Sequence, residues 1–323
     1  MPGKTKLRFR KKPGIPWVVL AISAALLAGA GFHRGQGQSP NSRRHQLLAS
    51  LPAKLSRPAS VNLPATPVAD ALPFSIGENS GVLWNLTSGQ LLWQYRPHLQ
   101  EPYASTTKLM TIYLALKSLP LMKTVAISPV AAGTTGSDMR MGVGYHFTVR
   151  QLLYGLMMVS ANDAAVALGQ SEAGSIPAFV AQMNHTARLM GMTDTTYADP
   201  DGLSPGSRGS AWDLSIIARA DMENPLFRKI VSTKETTLPY NPIVRNINGL
   251  LFLDPTVIGI KSGWTTQAGF NLVFAATRRI EGHSVTLLGV IMHGQHGFPP
   301  EYQDAEKILQ WGFSSVKSAN TRQ

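Results

Sequence analysis

The hydrophobic and polar positions change period along the chain, and each change marks a predicted element. Two apolar runs in GVLWNLTSGQLLWQY flank Thr87-Ser88-Gly89, which predicts a β-hairpin. The stretch from Ser105, STTKLMTIYLALKSL, reads as an apolar helix. TVRQLLYGLMMVSANDAAVALGQ keeps a helical period on both sides of Ser160 and predicts two helices broken there. SIPAFVAQMNHTARLMG carries helix punctuation, with Ser175 as N-cap, Pro177 in the first turn and Gly191 just past the end. GSAWDLSIIARADM predicts a further helix. TVIGIKSG, GFNLVFAATRR and HSVTLLGVIM then read as three strands joined by short turns, an antiparallel meander, and EYQDAEKILQWGF closes as an amphipathic helix. Strands, helices, strands and a last helix predict an α+β fold. Its antiparallel sheet is shared by the terminal segments and flanked by helices, with an all-helical subdomain inserted between.

Upstream of the hairpin the pattern is different. KTKLRFRKK precedes IPWVVLAISAALLAGAGF, a basic stretch before an apolar one that ends in small residues. This is the order of a signal peptide or of an N-terminal signal anchor, assigned to residues 1–32, and it predicts export of the remaining chain. Pro16 and Gly29 to Gly31 shorten the apolar run and favour cleavage after Ala30. Residues 33–72, rich in Ser, Pro, Gln and Arg, read as a flexible linker spanning roughly 35 Å. The globular domain is assigned to 73–316 and a polar tail to 317–323.

Charge and composition refine this picture at two points. The net charge of +12 suggests nucleic acid until it is located. Eleven basic residues and no acid lie before residue 58, the first acid being Asp70, so the rest of the chain is nearly neutral and no nucleic-acid partner is expected. The chain has no cysteine, which excludes a thiol nucleophile, a disulfide framework and a zinc–thiolate site.

Candidate chemistry starts at Ser105 and Lys108. Positions i and i+3 share a helix face, so the amine would stand beside the hydroxyl. A serine needs a base to become a nucleophile, and a lysine serves only if desolvation or a neighbouring cation lowers its pKa; Lys261 is a candidate for that cation. The plainer alternative makes Ser105 an N-cap and Lys108 a solvated charge. S-x-x-K occurs at Ser105 and Ser314, S-x-N at Ser39, Ser60, Ser160 and Ser318, and K-[ST]-G only at Lys261-Ser262-Gly263. Only Ser105, Ser160 and Lys261 fall inside the ordered region in the right order. That trio is the signature of penicillin-binding proteins and class A β-lactamases.

YASTTKLMT, LLYGLMMVSANDAAVAL, MTDTTYADPDGLSPG, GIKSGWTTQAGFNLV and ILQWGF, in this order, resemble the D-alanyl-D-alanine carboxypeptidase family of low-molecular-mass penicillin-binding proteins, over about residues 72–316. The resemblance implies a β-lactamase/transpeptidase-like fold and an exported, periplasmic or wall-side serine D,D-carboxypeptidase that needs no cofactor or metal. Ser105 would be the acylated nucleophile, Lys108 its base, and Ser160 a proton relay. Asn162, Lys261, Ser262, Gly263 and Trp264 would bind substrate, with the N–H groups of Ser105 and Trp264 as oxyanion hole. The implied partners are peptidoglycan stem peptides and β-lactam inhibitors, with membrane contact only through the N-terminal segment if it is retained.

The chain departs from the family pattern at several positions. Ala161 stands where glycine is usual and Ser262 where threonine is usual. Glu301 stands where many members carry arginine near the carboxylate end of the site, and Ile247 where arginine sometimes occurs. These last two leave open a D,D-endopeptidase that cuts crosslinks. A β-lactamase would need a Glu-x-x-x-Asn element between Ser160 and Lys261, which is absent. A non-catalytic wall-binding protein would have no use for the intact Ser105, Lys108, Ser160 and Lys261. HGQH at His293 to His296 reads as a surface loop rather than a metal site, Asp163 as a helix-start residue, and Asp199, Asp201 and Gly202 as a turn without a chemical role.

Overall fold

The computed structural model describes residues 68–321; the leader and nearly all of the linker expected from the sequence lie outside the described residues. The first ordered contact comes slightly earlier than expected. Ala69 donates to the Leu92 carbonyl and accepts from the Gln94 N–H, forming a parallel bridge opposite Trp93.

The hairpin forms as read, from β1 (Ser80–Asn85) and β2 (Gln90–Tyr95). Asn85 Oδ1 accepts from the N–H groups of Thr87 and Ser88 and fixes the turn. β3 (Glu101–Pro102) leads into a 3₁₀ turn (Ala104–Thr107) and α1 (Lys108–Ser118). Next come β4 (Thr124–Ala126), α2 (Pro129–Ala132), β5 (His146–Thr148), α3 (Val149–Met158), α4 (Asn162–Ala173) and α5 (Ile176–Leu189). Then follow β6 (Arg208–Gly209), α6 (Ala211–Met222), α7 (Pro225–Ser232), the hairpin β7 (Glu235–Leu238) and β8 (Asn241–Arg245), and α8 (Leu250–Leu253). The chain ends in β9 (Val257–Thr265), β10 (Gly269–Ile280), β11 (His283–Gly294) and α9 (Phe298–Thr321).

The main sheet has the order β2-β1-β11-β10-β9 and is antiparallel throughout, so the first and last segments share it as the pattern predicted. Its strands are apolar at successive positions because both faces are covered. Val82, Trp84, Val273, Ala275, Leu288 and Val290 face the helical subdomain. Leu83, Leu272, Phe274, Leu287 and Ile291 face α9, which answers with Tyr302, Ala305, Ile308, Leu309, Phe313 and Val316. The 3- and 4-residue spacing of that last set is the amphipathic stripe read from EYQDAEKILQWGF. Truncating a fully buried member such as Ile308 to alanine would cost ~2–5 kcal/mol.

The helical subdomain starts from local signals. Thr148 and Gln151 form a capping box on α3. Ser175 caps α5, with Pro177 in its first turn, and Gly191 follows its end at positive φ. The chain breaks between α3 and α4 at Ser160, which takes φ +61°. α9 continues to Thr321, through residues expected as a polar tail. SSVKSA is polar, but it contains no helix breaker and its outer face needs none.

Candidate active site

α1 is buried almost all round; Lys108, Leu109, Met110, Ile112 and Leu114 have at most 1% of their surface exposed. A lysine in its first turn is therefore withdrawn from water by the packing of its own helix. The 3₁₀ turn before it bends the chain so that Ser105 remains half-buried and reachable. Ala104 takes φ +47° to make that bend and is held from three sides. Thr106 Oγ1 donates to the Tyr103 carbonyl (2.7 Å), and Asn271 Nδ2 of β10 donates to the carbonyls of Pro102 (2.9 Å) and Tyr103 (3.1 Å). Gly263 of β9 lies so close that a Cβ there would stand 2.8 Å from the Ser105 amide nitrogen. On the other side a Cβ on Gly202, which has φ +84°, would collide with the Ala104 carbonyl.

The Lys108 ammonium nitrogen has three neighbours: Ser105 Oγ at 2.8 Å, Asn162 Oδ1 at 2.7 Å and the Asp201 carbonyl at 2.7 Å. Asn162 and Asp201 can only accept, so a neutral amine spends its two hydrogens on them. Its lone pair is then left facing the Ser105 hydroxyl. This is the geometry of a nucleophile with a base in hydrogen-bond reach. Burial lowers the pKa of Lys108 to about 8, against the opposing pull of the Asp201, Asp199 and Asp163 carboxylates. Burial also drives Lys261 well below the usual lysine range, and the nearby Lys108 adds to that. Desolvation is thus the leading cause at Lys108. Charge proximity to Lys261 shows on the Lys261 side. Lys261 is 1% exposed, and its ammonium donates to the Ser262 carbonyl at 2.6 Å.

Ser105, Lys108 and Asn162 are in direct contact, with Lys261 and Gly263 of β9 beside them. Asn162 Nδ2 donates to the Thr135 carbonyl (2.7 Å), which fixes the amide so that its oxygen faces Lys108. Ser160 is 2% exposed, and its Oγ has no hydrogen-bond partner among the described residues. It stands two residues before Asn162, with no hydrogen bond to the group among the described residues. Ser262 is buried and Trp264 is 53% exposed, its ring 5.8 Å from that of Phe270.

Three residues given no chemical role by the sequence reading hold this arrangement. The Asp199-Pro200-Asp201-Gly202 turn is the third support of Lys108, through the Asp201 carbonyl. Thr111, one turn along α1, donates to the Pro200 carbonyl at 2.6 Å. Asp199 fixes the turn by accepting from the N–H groups of Gly202 and Ser204 and from Ser207 Oγ. Asp163 is 2% exposed and accepts from the N–H groups of Met139, Met141 and Ala164, tying the 139–141 loop to the start of α4. The DPDG stretch announces a turn, but nothing in it says which side chain its carbonyls face.

Glu301 is 2% exposed and sits with Glu78 and Asp304, whose charges, after burial itself, push its carboxyl well above the usual range. Of the HGQH segment, the His293 N–H donates to Asn271 Oδ1 (2.8 Å), and its Nδ1 lies 3.6 Å from Glu101 Oε1.

The family model for D-alanyl-D-alanine carboxypeptidase matches residues 66–295. The chain is 37% identical over 268 residues to D-alanyl-D-alanine carboxypeptidase DacD of Salmonella typhimurium, covering 76% of this chain and 66% of that one. It is 32% identical over 282 residues to a D-alanyl-D-alanine endopeptidase of Pseudomonas aeruginosa, covering 83% of this chain and 88% of that one. The crystal structure of a D-alanyl-D-alanine carboxypeptidase from Mycobacterium tuberculosis H37Rv superposes with a TM-score of 0.71 at 30% identity, covering 77% of this chain and 96% of that one. The chain spans just under two thirds of the Salmonella relative's length. With 230 consecutive residues matched, and the paired serine and lysine inside them, the chain belongs to the D-alanyl-D-alanine carboxypeptidase family.

Proposed function

We propose that the protein is an exported serine D,D-carboxypeptidase that hydrolyses the terminal D-Ala-D-Ala bond of peptidoglycan stem peptides and is trapped by penicillins. The observation that carries this reading is the Lys108 nitrogen 2.8 Å from Ser105 Oγ, with its other two directions filled by fixed acceptors. Lys108, neutral, takes the Ser105 proton as Oγ attacks the carbonyl carbon. The N–H groups of Ser105 and Trp264 hold the oxyanion. The C–N bond breaks, the proton passes to the leaving amine, and free D-alanine departs. Ser160, buried with an unpaired hydroxyl, relays that proton. Water, deprotonated by the same lysine, then cleaves the ester and restores Ser105. Asn162 and β9 from Lys261 to Trp264 line the path of the peptide, with Lys261 and Ser262 at its carboxylate end.

The decisive experiment is mass spectrometry of the chain after incubation with a labelled penicillin. One adduct, on Ser105, that persists for many minutes supports the reading. No adduct, or its rapid hydrolysis, refutes it.

One observation favours endopeptidase activity on crosslinks as a second reading. The start of α9 offers a buried carboxyl, Glu301, and no cation. A free C-terminal carboxylate would have Lys261 to pair with but no arginine from α9. Comparing the products released from a pentapeptide and from a crosslinked dimer decides between the two.

A further inference from the structure

Asn271 stands in β10 between Phe270 and Leu272, and asparagine is depleted in strands. It is fully buried, so its carboxamide must find its partners inside the protein. Nδ2 donates to the carbonyls of Pro102 (2.9 Å) and Tyr103 (3.1 Å), and Oδ1 accepts from the His293 N–H (2.8 Å). Carbonyls only accept and an N–H only donates, so the amide has one orientation. The sheet departs from regular pairing to supply the third partner. Phe270 pairs with Gly294 and Leu272 with Ile291, which leaves Met292 and His293 of β11 opposite Asn271 alone. This is a β-bulge, a device that bends a strand and re-aims its side chains, and bulges are over-represented beside active sites. His293 takes φ +61° there, and its N–H turns to Asn271. HGQH therefore begins with the bulge residue. On its other side Asn271 pairs with Gly263 of β9. A Cβ on Gly263 would stand 2.8 Å from the Ser105 nitrogen and 2.9 Å from that of Thr106. Gly263 leaves the space in which the Ser105 turn lies, and Asn271 grips the backbone that enters it.

We propose that Asn271 is a positioning residue for acylation: aimed by the His293 bulge, its carboxamide fixes the Pro102–Ala104 backbone and, through it, the N–H and Oγ of Ser105. It rests on the peptidase reading, which supplies the reaction. Two donors on successive carbonyls pin two peptide planes, and Ala104, at φ +47°, carries the bend on to Ser105. Upstream the same segment is anchored at Glu101, whose carboxylate accepts from Asn79 Nδ2 (3.0 Å) and Ser80 Oγ (3.1 Å). Downstream the Tyr103 carbonyl also accepts from the Thr106 N–H (3.2 Å) and Oγ1 (2.7 Å). Loss of Asn271 therefore loosens the turn without unfolding it. The Lys108 nitrogen keeps its Asn162 and Asp201 acceptors, which belong to other segments. The base then remains in place while the hydroxyl and the oxyanion N–H lose their fixed aim. Such a change acts on the rate of the chemical step and little on ground-state binding.

The test is the rate of penicillin acylation of the full chain over a range of penicillin concentrations, with the acylated fraction counted by mass spectrometry. Asn271→Ala should lower the limiting rate per acylatable site about 30- to 100-fold. The half-saturating concentration should change less than about threefold. The rate should still level off near pH 8, since the partners of Lys108 are untouched. A merely structural role would reduce the fraction of chains that acylate and leave the rate of the remainder at the parent value, and that result overturns the proposal. So does a limiting rate within about threefold of the parent, or a loss carried by the half-saturating concentration alone. If Asn271→Ala does not fold, Asn271→Asp decides. It keeps the shape and an acceptor for the His293 N–H, but has at most one hydrogen for the two carbonyls, and its limiting rate should fall at least about tenfold. A parent chain that forms no adduct on Ser105 refutes the peptidase reading, and the proposal falls with it. A parent that acylates while both variants match it overturns the proposal alone.

Discussion

Lys108 and Lys261 are buried on the helical side of the main sheet; Glu78, Glu301 and Asp304 are buried on the side covered by α9. Both regions remove charge-bearing groups from water, and burial shifts Lys108, Lys261, Glu78 and Glu301 toward neutrality. They differ in how their polar atoms are satisfied. Each direction of the Lys108 nitrogen has a partner between 2.7 and 2.8 Å away, so the amine is oriented as well as neutralised. In the carboxyl cluster only Asp304 is well served, by the Gly77 N–H and by Lys307. One Glu78 oxygen and both Glu301 oxygens are without partners among the described residues. Desolvation alone makes a neutral group; desolvation with fixed acceptors makes a base aimed at one hydroxyl. The first costs stability, and the second converts that cost into reactivity.

The largest effect expected of this difference is at Lys108. Lys108→Ala should slow penicillin acylation about 10²–10⁴-fold, and Lys108→Arg should do little better, since a guanidinium stays protonated. Glu78→Gln should leave the rate within about twofold. A rate assay on the three variants checks this, and wild-type acylation by Lys108→Ala would move the base elsewhere. Next in size is Gly263→Ala. Its new Cβ meets the Ser105 amide at 2.8 Å and must push the 3₁₀ turn aside. A displacement of about 1 Å costs on the order of 100-fold in rate, so acylation should drop by that much while thermal unfolding moves far less.

The legible part of this arrangement was the part encoded by spacing. Ser105 and Lys108 are neighbours because three residues make nearly one helical turn, and that is readable without a structure. The hairpin, the break at Ser160 and the final meander were readable for the same reason, as changes of period. The partners of Lys108 were not. Asp201 contributes a backbone carbonyl from 93 residues away, and a carbonyl carries no residue identity. Asn162 was assigned to substrate from the family pattern, yet its oxygen also holds the lysine. Glu301 was placed near the carboxylate end by its position before the closing helix, and its burial with Glu78 depends on how α9 lies on the sheet.

A pH series separates the two regions by sign. Acylation needs the neutral amine, so its rate should climb about tenfold per pH unit well below pH 8 and level off above it, following the Lys108 pKa of about 8. A rate flat between pH 6 and 8 would show that Lys108 is not the titrating base.

Stability should run the other way on the α9 side, and by the smallest margin. Burial, with the Asp304 charge second, raises Glu78 from 4.5 to about 8. Below pH 4.5 the side chain is protonated in the folded and unfolded chain alike. Above it the unfolded chain gives up the proton while the folded chain keeps it. The unfolded state then binds fewer protons, and stability falls with rising pH until Glu78 ionises in place near pH 8. Glu78→Gln removes this dependence without altering the side chain's shape. Denaturant unfolding of both proteins at pH 5, 7 and 8.5 should show the variant gaining on the parent at each step. The final advantage should be about 1–3 kcal/mol, the usual penalty of an unsatisfied buried polar group. Parallel stability curves would mean that Glu78 reaches water, and the contrast with Lys108 would then rest on Glu301 alone.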